Sequence, residues 1–274
     1  MTRKKGRKEA QAKREASSHI DIENVVDDAL RLFEEGERRQ GEKILEKLRK
    51  KHGQHPHVIF GLGVLEAFDN NVDKAILLFK RATQISPDLA AAHFNLGVAY
   101  QKKFQIPGMV TAFRRVVEIG EAGGYMVKHA QDMLNMLEKQ TKETDGISLD
   151  EYLFGYEIFN QGVEYMTSQS WDDAIAKFEE TIKITPKHVQ SYGNLGICYS
   201  SLGRQEEALR AYDKAIELDP NYEPALINRR IAESLKEGEC LGGQVKTIEY
   251  YNEYSLKNRS YIEEYAEMHG IMPE

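Results

Sequence analysis

The chain has 274 residues, 41% of them hydrophobic and 30% charged, with a formal net charge of −7. That is enough apolar material for a sizeable core, in one elongated domain or two compact ones, and it excludes a disordered chain. No apolar run approaches the roughly 18 residues of a membrane span, no apolar stretch follows the charged N-terminus, and Cys198 and Cys240 form neither a CxxC pair nor an even framework, so a soluble cytoplasmic protein with reduced thiols is expected.

Residues 1–18 read as a basic disordered arm, holding seven Lys or Arg against Glu9 and Glu15. The arm is thus +5 and the remaining chain −12. A surface that displaces counterions from phosphates needs clustered cations, so the acidic body is a poor match for nucleic acid. The arm alone supports the secondary reading, a nucleic-acid- or ribosome-associated accessory factor.

From residue 19 onward a period governs the chain. At a lag of 34 residues Asn160, Asn194 and Asn228 share one column, Gly162 and Gly196 another, and Tyr165 with Tyr199, Ala174 with Ala208, and Pro186 with Pro220 three more. A repeat of this length indicates a solenoid of supersecondary units. Within residues 189–222, Leu195 and Tyr199 lie i, i+4 on one helix and Tyr212 and Ala215 lie i, i+3 on the next. Gly196 and Ala208 are small where the two helices must approach, Gly203 falls at the end of the first helix, and Pro220 marks the exit of the second. One such hairpin cannot bury its apolar stripe alone, so neighbours must stack.

In chain order the expected elements are a weak unit at 22–55, units at 56–89 and 90–123, and a closing helix at 125–143, which together make an N-terminal block over 19–143. Within 90–123, Phe104, Pro107 and Met109 replace the turn glycine, its sequel and a small residue, so a different inter-helix turn is predicted there. A second block, 144–237, starts after Asp145-Gly146 with a capping-box pattern at Ser148 and Glu151. It continues with units at 155–188 and 189–222 and a capping helix at 223–237. Ser170 and Asp173 form a second capping-box pattern, beside a structural Trp171. The remainder, 238–274, is a Tyr-rich tail in which Tyr261, Ile262, Tyr265 and Met268 have amphipathic helical spacing. That stripe needs a surface, either on its own chain or on a second one through self-association.

Residues Tyr192, Leu195, Gly196, Tyr199, Ala208, Tyr212, Ala215 and Pro220 resemble the tetratricopeptide repeat (TPR) at all eight of its signature positions. The resemblance implies an all-α fold, an α-solenoid of stacked antiparallel helix hairpins with about five repeats, and a role as a protein–protein interaction scaffold or adaptor. It also implies which residues line the concave groove. In the N-terminal block these include Phe60, Phe94 and Asn95, with the two phenylalanines as a short aromatic row. In the C-terminal block they include Tyr156, Phe159, Asn160, Asn194 and Asn228, and the groove positions there are uncharged.

The Asn column resembles the asparagine ladder of O-linked N-acetylglucosamine transferase repeat domains, which grips peptide main chain, and an amide offers both donor and acceptor for that purpose. The family's dicarboxylate clamp is not reproduced: its positions hold Phe159, Val163, Pro224 and Asn228, and only Asn194 matches. The expected ligand is therefore an uncharged to apolar polypeptide segment, not a carboxylate tail.

His52, His55 and His57 are read as solvated loop histidines, because no Cys, Asp or Glu accompanies them at ligand spacing. No GxxxxGK[ST], HExxH or GxSxG motif is present. No catalytic residue, cofactor or metal is expected.

Overall fold

The computed structural model describes residues 21–236 and 238–240; the basic arm and the tail beyond Cys240 lie outside the described residues. Among the described residues there are twelve α-helices and no strand. They are α1 (Ile22–Glu34), α2 (Arg38–His52), α3 (Pro56–Phe68), α4 (Val72–Ile85), α5 (Ala90–Lys102), α6 (Ile106–Ile119), α7 (Tyr125–Thr144), α8 (Leu149–Thr167), α9 (Trp171–Ile184), α10 (Val189–Ser201), α11 (Gln205–Leu218) and α12 (Glu223–Ser234). The chain forms two compact units that divide between Asp132 and Met133, inside α7 and not at its end. In the first unit α1 packs on α2, α3 on α4 and α5 on α6; in the second α8 packs on α9, α10 on α11, and α12 on α11. No helix among the described residues is long and apolar enough to cross a membrane.

The 34-residue period of the sequence reappears in the backbone. Gly36, Asn70 and Phe104 in the first unit, and Gln169 and Gly203 in the second, all have φ between +54° and +79°. Each sits just after the first helix of a hairpin. The next residue's N–H then closes on a carbonyl five positions back: Glu37 to Leu32 (2.8 Å), Asn71 to Glu66 (2.8 Å), Gln105 to Tyr100 (2.9 Å), Ser170 to Tyr165 (2.9 Å) and Arg204 to Tyr199 (2.9 Å). This is the Schellman closure of a helix C-terminus. Phe104 therefore overturns the prediction of a different turn at 90–123. A left-handed conformation costs a non-glycine residue about 1–2 kcal/mol, but the bonds that close the turn use only main chain. Pro107 is accommodated in the first turn of α6, where its missing N–H has no helical partner to lose.

A second repeated contact holds each hairpin shut. A Cβ placed on Gly63, Gly97, Gly162 or Gly196 would come within 2.6, 2.4, 2.7 and 2.4 Å of the rings of Phe79, Phe113, Phe178 and Tyr212 respectively. Each pair is sixteen residues apart, so the first helix is bare where the second lays an aromatic ring across it. Three of these rings are braced by another: Phe60 lies 6.0 Å from Phe79, Phe94 6.1 Å from Phe113, and Phe159 5.4 Å from Phe178. Phe79, Phe113, Phe178 and Tyr212 are among the largest fully buried side chains. Burying a ring of this size contributes about 1.5–3 kcal/mol.

The junction after α7 is tight. Gly146 takes φ +75°, its N–H bonds to Lys142 O at 3.1 Å, and Leu149 N–H donates to the Glu138 carboxylate at 2.8 Å, tying the start of α8 back to α7. The capping box at Ser148 forms: Glu151 N–H donates to Ser148 Oγ (3.2 Å) and Ser148 N–H to Glu151 Oε2 (2.8 Å). The Ser148 N–H and the Ser148 hydroxyl, which donates to the same Oε2 at 2.7 Å, hold the Glu151 carboxyl below its ordinary range. The box expected at Ser170 does not form. Ser170 is the N-cap of α9 but makes no side-chain cap bond, and its hydroxyl instead lies 3.3 Å from that of Ser168. The capping helix ends at Ser234, and Gly238 N–H then bonds Gly203 O at 3.0 Å, on the α10–α11 turn.

Candidate functional site

The expected groove residues fall in both units: Phe60, Phe94 and Asn95 in the first, and Tyr156, Phe159, Asn160, Asn194 and Asn228 in the second. The aromatic members turn inward. Phe60 and Phe159 are buried as braces for Phe79 and Phe178. Phe94 is half-buried among Phe113, Tyr125 and His129, with the His129 ring 5.3 Å away. The expected aromatic row is thus part of the hairpin cores, because the ring over each glycine needs a second ring beside it.

The asparagines differ from one another. Asn95 Nδ2 donates to Ala91 O at 2.9 Å, one turn back on its own helix. Asn160 is half-buried and hydrogen-bonds the side chain of Tyr156, whose phenol burial pushes above its ordinary range. Asn228 is buried. Asn194 is only 1% exposed, and neither its Oδ1 nor its Nδ2 has a hydrogen-bond partner. One turn earlier on α10, buried Gln190 has an unbonded Oε1. Successive turns of one helix therefore carry three unsatisfied buried polar atoms, each costing about 1–3 kcal/mol relative to a bonded one.

Aliphatic side chains accompany the amides. Val163, Ile197 and Ile231 form a second column at the same lag of 34, with Ile197 buried and Val163 and Ile231 at 36% and 37% exposure. Gly193 leaves room for the ring of Tyr222, which would be 3.0 Å from a Cβ at that position.

Sequence reasoning gave no role to His188, the N-cap of α10. Its ring meets Phe159 edge-on at 4.8 Å, and its Nδ1 lies 2.7 Å from Ser191 Oγ. Burial pushes the imidazole down to about 4. Nothing in the sequence around Lys187-His188 marks this, because the ring that meets it, Phe159, belongs to α8.

The histidines at 52, 55 and 57 are not solvated loop residues. They are half-buried at the end of α2 and the start of α3, the rings of His55 and His57 lie 5.5 Å apart, and His57 Nε2 is 3.4 Å from the Glu23 carboxylate. Among the described residues no group of three or more His, Cys, Asp or Glu assembles that could hold a metal ion. Both cysteines are free, Cys198 buried and Cys240 exposed.

Two family models match the chain: the tetratricopeptide repeat over residues 189–222 and the TPR repeat over residues 69–103. The first coincides with the α10–α11 hairpin; the second spans α4 and α5, the second helix of one hairpin and the first of the next. The chain carries tetratricopeptide repeats. The chain is similar in sequence to the Hsp70-Hsp90 organizing protein 2 of Arabidopsis thaliana, 34% identical over 32% of this chain and 16% of that protein. It is also similar to a probable UDP-N-acetylglucosamine–peptide N-acetylglucosaminyltransferase SPINDLY of Solanum lycopersicum, 26% identical over 43% of this chain and 13% of that protein. The TPR chain thus spans less than a fifth of the length of either relative.

Among solved structures it is similar to YrrB, described as a TPR protein with an unusual peptide-binding site, at 19% identity, 68% of this chain, 97% of that chain and a TM-score of 0.35. It is likewise similar to the TPR2AB domain of yeast Sti1 complexed with pHSP90, at 18% identity, 77% of this chain, 82% of that chain and a TM-score of 0.37.

Proposed function

We propose that this TPR protein is a non-catalytic scaffold that holds a partner polypeptide along the groove positions of its second unit, by main-chain hydrogen bonds to the Asn column. The observation that carries this reading is the unsatisfied amide of Asn194, with Gln190 Oε1 one turn away. An extended peptide presents alternating N–H donors and C=O acceptors, which are the groups that amide lacks. Access to it requires the side chains over it to rotate, so binding exchanges a buried polar cost for hydrogen bonds.

The ligand chemistry follows from what surrounds the amides. The groove positions of the second unit are uncharged, and Val163 and Ile231 expose aliphatic side chains in the next column. A segment with uncharged or apolar side chains fits that surface. A terminal carboxylate does not, because Phe159, Val163 and Pro224 stand where a cationic clamp would be needed. The relatives whose names describe chaperone organisation support a polypeptide as the ligand class, although the similarity spans only 16% of the first of them.

The test is to select peptides on the full chain from a random library, then titrate the winners against wild type and against Asn160→Ala, Asn194→Ala, Asn228→Ala combined. Peptides with uncharged or apolar side chains are expected, with affinity reduced about tenfold to hundredfold in the variant, as for loss of one to two buried hydrogen bonds. Equal affinity for the variant, with its helix content and unfolding midpoint intact, removes the Asn column from the reading.

A further inference from the structure

Helix α12 ends the described array, and its faces are unlike. Pro224, Ala225, Asn228 and Ala232 are buried, whereas Ile227 and Ile231, one turn apart, are 53% and 37% exposed. Arg230 is exposed on the same side, with no acidic partner among the described residues, while its neighbour Arg229 is tied to Asp213 and Glu233. Two isoleucines one turn apart and a guanidinium beside them form a small apolar surface with a cationic edge.

The path of the chain after α12 says what can reach it. Gln205 Nε2 donates to Ala232 O at 2.8 Å and also to Leu235 O, and Gly238 N–H donates to Gly203 O at 3.0 Å. The chain is thereby turned back over the α10–α11 turn, beside the array, and Cys240 is exposed. From this point 34 residues remain, 241–274. A helix rises about 1.5 Å per residue, so even a helical segment of that length outreaches the twelve-residue α12. The segment carries six acidic against three basic residues, and Glu263, Glu264 and Glu267 alternate with the stripe Tyr261, Ile262, Tyr265 and Met268. Its apolar stripe matches the isoleucine pair, and its acidity matches Arg230.

We infer that residues 261–268 of the chain's own tail dock on α12, with Tyr261, Ile262, Tyr265 and Met268 covering Ile227 and Ile231 and the glutamates directed at Arg230. The contact is intramolecular. It does not depend on the identity or existence of an outside partner.

The test uses the full chain without any partner and reads amide hydrogen exchange and limited proteolysis across residues 261–268. Wild type is expected to protect this segment at least tenfold relative to a synthetic peptide of the same sequence. Ile227→Asp with Ile231→Asp removes the protection while leaving helix content unchanged, since both side chains are exposed. Tyr261→Asp with Tyr265→Asp does the same from the other side of the contact and leaves the helical array untouched. An unprotected wild-type segment overturns the inference, as does protection that survives both double variants. Protection that rises with protein concentration together with a dimer mass in light scattering also overturns it, in favour of a second copy as the occupant.

Discussion

Phe178→Ala is expected to lower the unfolding free energy of the second unit by about 4 kcal/mol, the range for removing a fully buried ring. The cost exceeds the transfer energy of the ring because three features depend on it. Gly162 is bare so that Phe178 can cross it, Phe159 is held at 5.4 Å against it, and Ala174 and Ile175 are buried in the same core. Without the ring, Gly162 faces a cavity that a backbone without Cβ cannot fill. The chain has a single Trp, Trp171, packed against this core, so its fluorescence reports the second unit during urea unfolding. Phe154→Ala, at an exposed position of α8, serves as control and is expected to stay within about 0.5 kcal/mol. A loss below about 1 kcal/mol at Phe178 would show that the ring-over-glycine contact does not hold the hairpin.

The second large effect is on acid stability. His188 titrates at about 4 in the folded chain, against about 6.5 in the unfolded one, because burial disfavours the imidazolium. The unfolded state therefore binds the proton first as pH falls. The contribution is fully present above pH 6.5 and is lost progressively between pH 6.5 and 4. The full interval corresponds to about 3 kcal/mol; because the residue keeps some exposed surface, about 2 kcal/mol is expected. His188→Gln cannot titrate, so the difference in stability between wild type and variant should shrink or reverse across that window as the wild type weakens. Parallel stability curves for the two proteins from pH 7 to 4 would mean that His188 is not enclosed by Phe159.

The helical hairpins were legible in the sequence because their cause is periodic. Gly162 with Gly196 and Ala174 with Ala208 recur at 34 residues, and the contacts they permit recur with them. Turn chemistry was legible only where glycine supplies it. Asn70, Phe104 and Gln169 take the same left-handed conformation as Gly36 and Gly203, since two packed helices and a main-chain bond impose it whatever the side chain. Ser170 shows the converse: a capping pattern in sequence with no cap bond, its hydroxyl lying instead beside Ser168.

The groove was legible as a register and not as a set of environments. Phe60, Phe94 and Phe159 share a column because each braces a core ring, which no pattern within the first helix could reveal. The asparagines share a column too, yet Asn95 satisfies itself on its own helix, Asn160 pairs with Tyr156, and Asn194 is left unbonded. That difference depends on the residues one turn away, Ala91 carbonyl, Tyr156 and Gln190, and on how deeply each helix is enclosed.

Side-chain amide resonances of Asn194, in isotope-labelled full-length protein titrated with a library-selected peptide, test the central claim most directly. Their assignment follows from the signals that vanish in Asn194→Leu. Binding is expected to shift both Asn194 amide protons and slow their exchange with solvent, as new hydrogen bonds form to peptide main chain. Saturating peptide that leaves the Asn194 signals unmoved would contradict the proposed groove and place recognition on another surface.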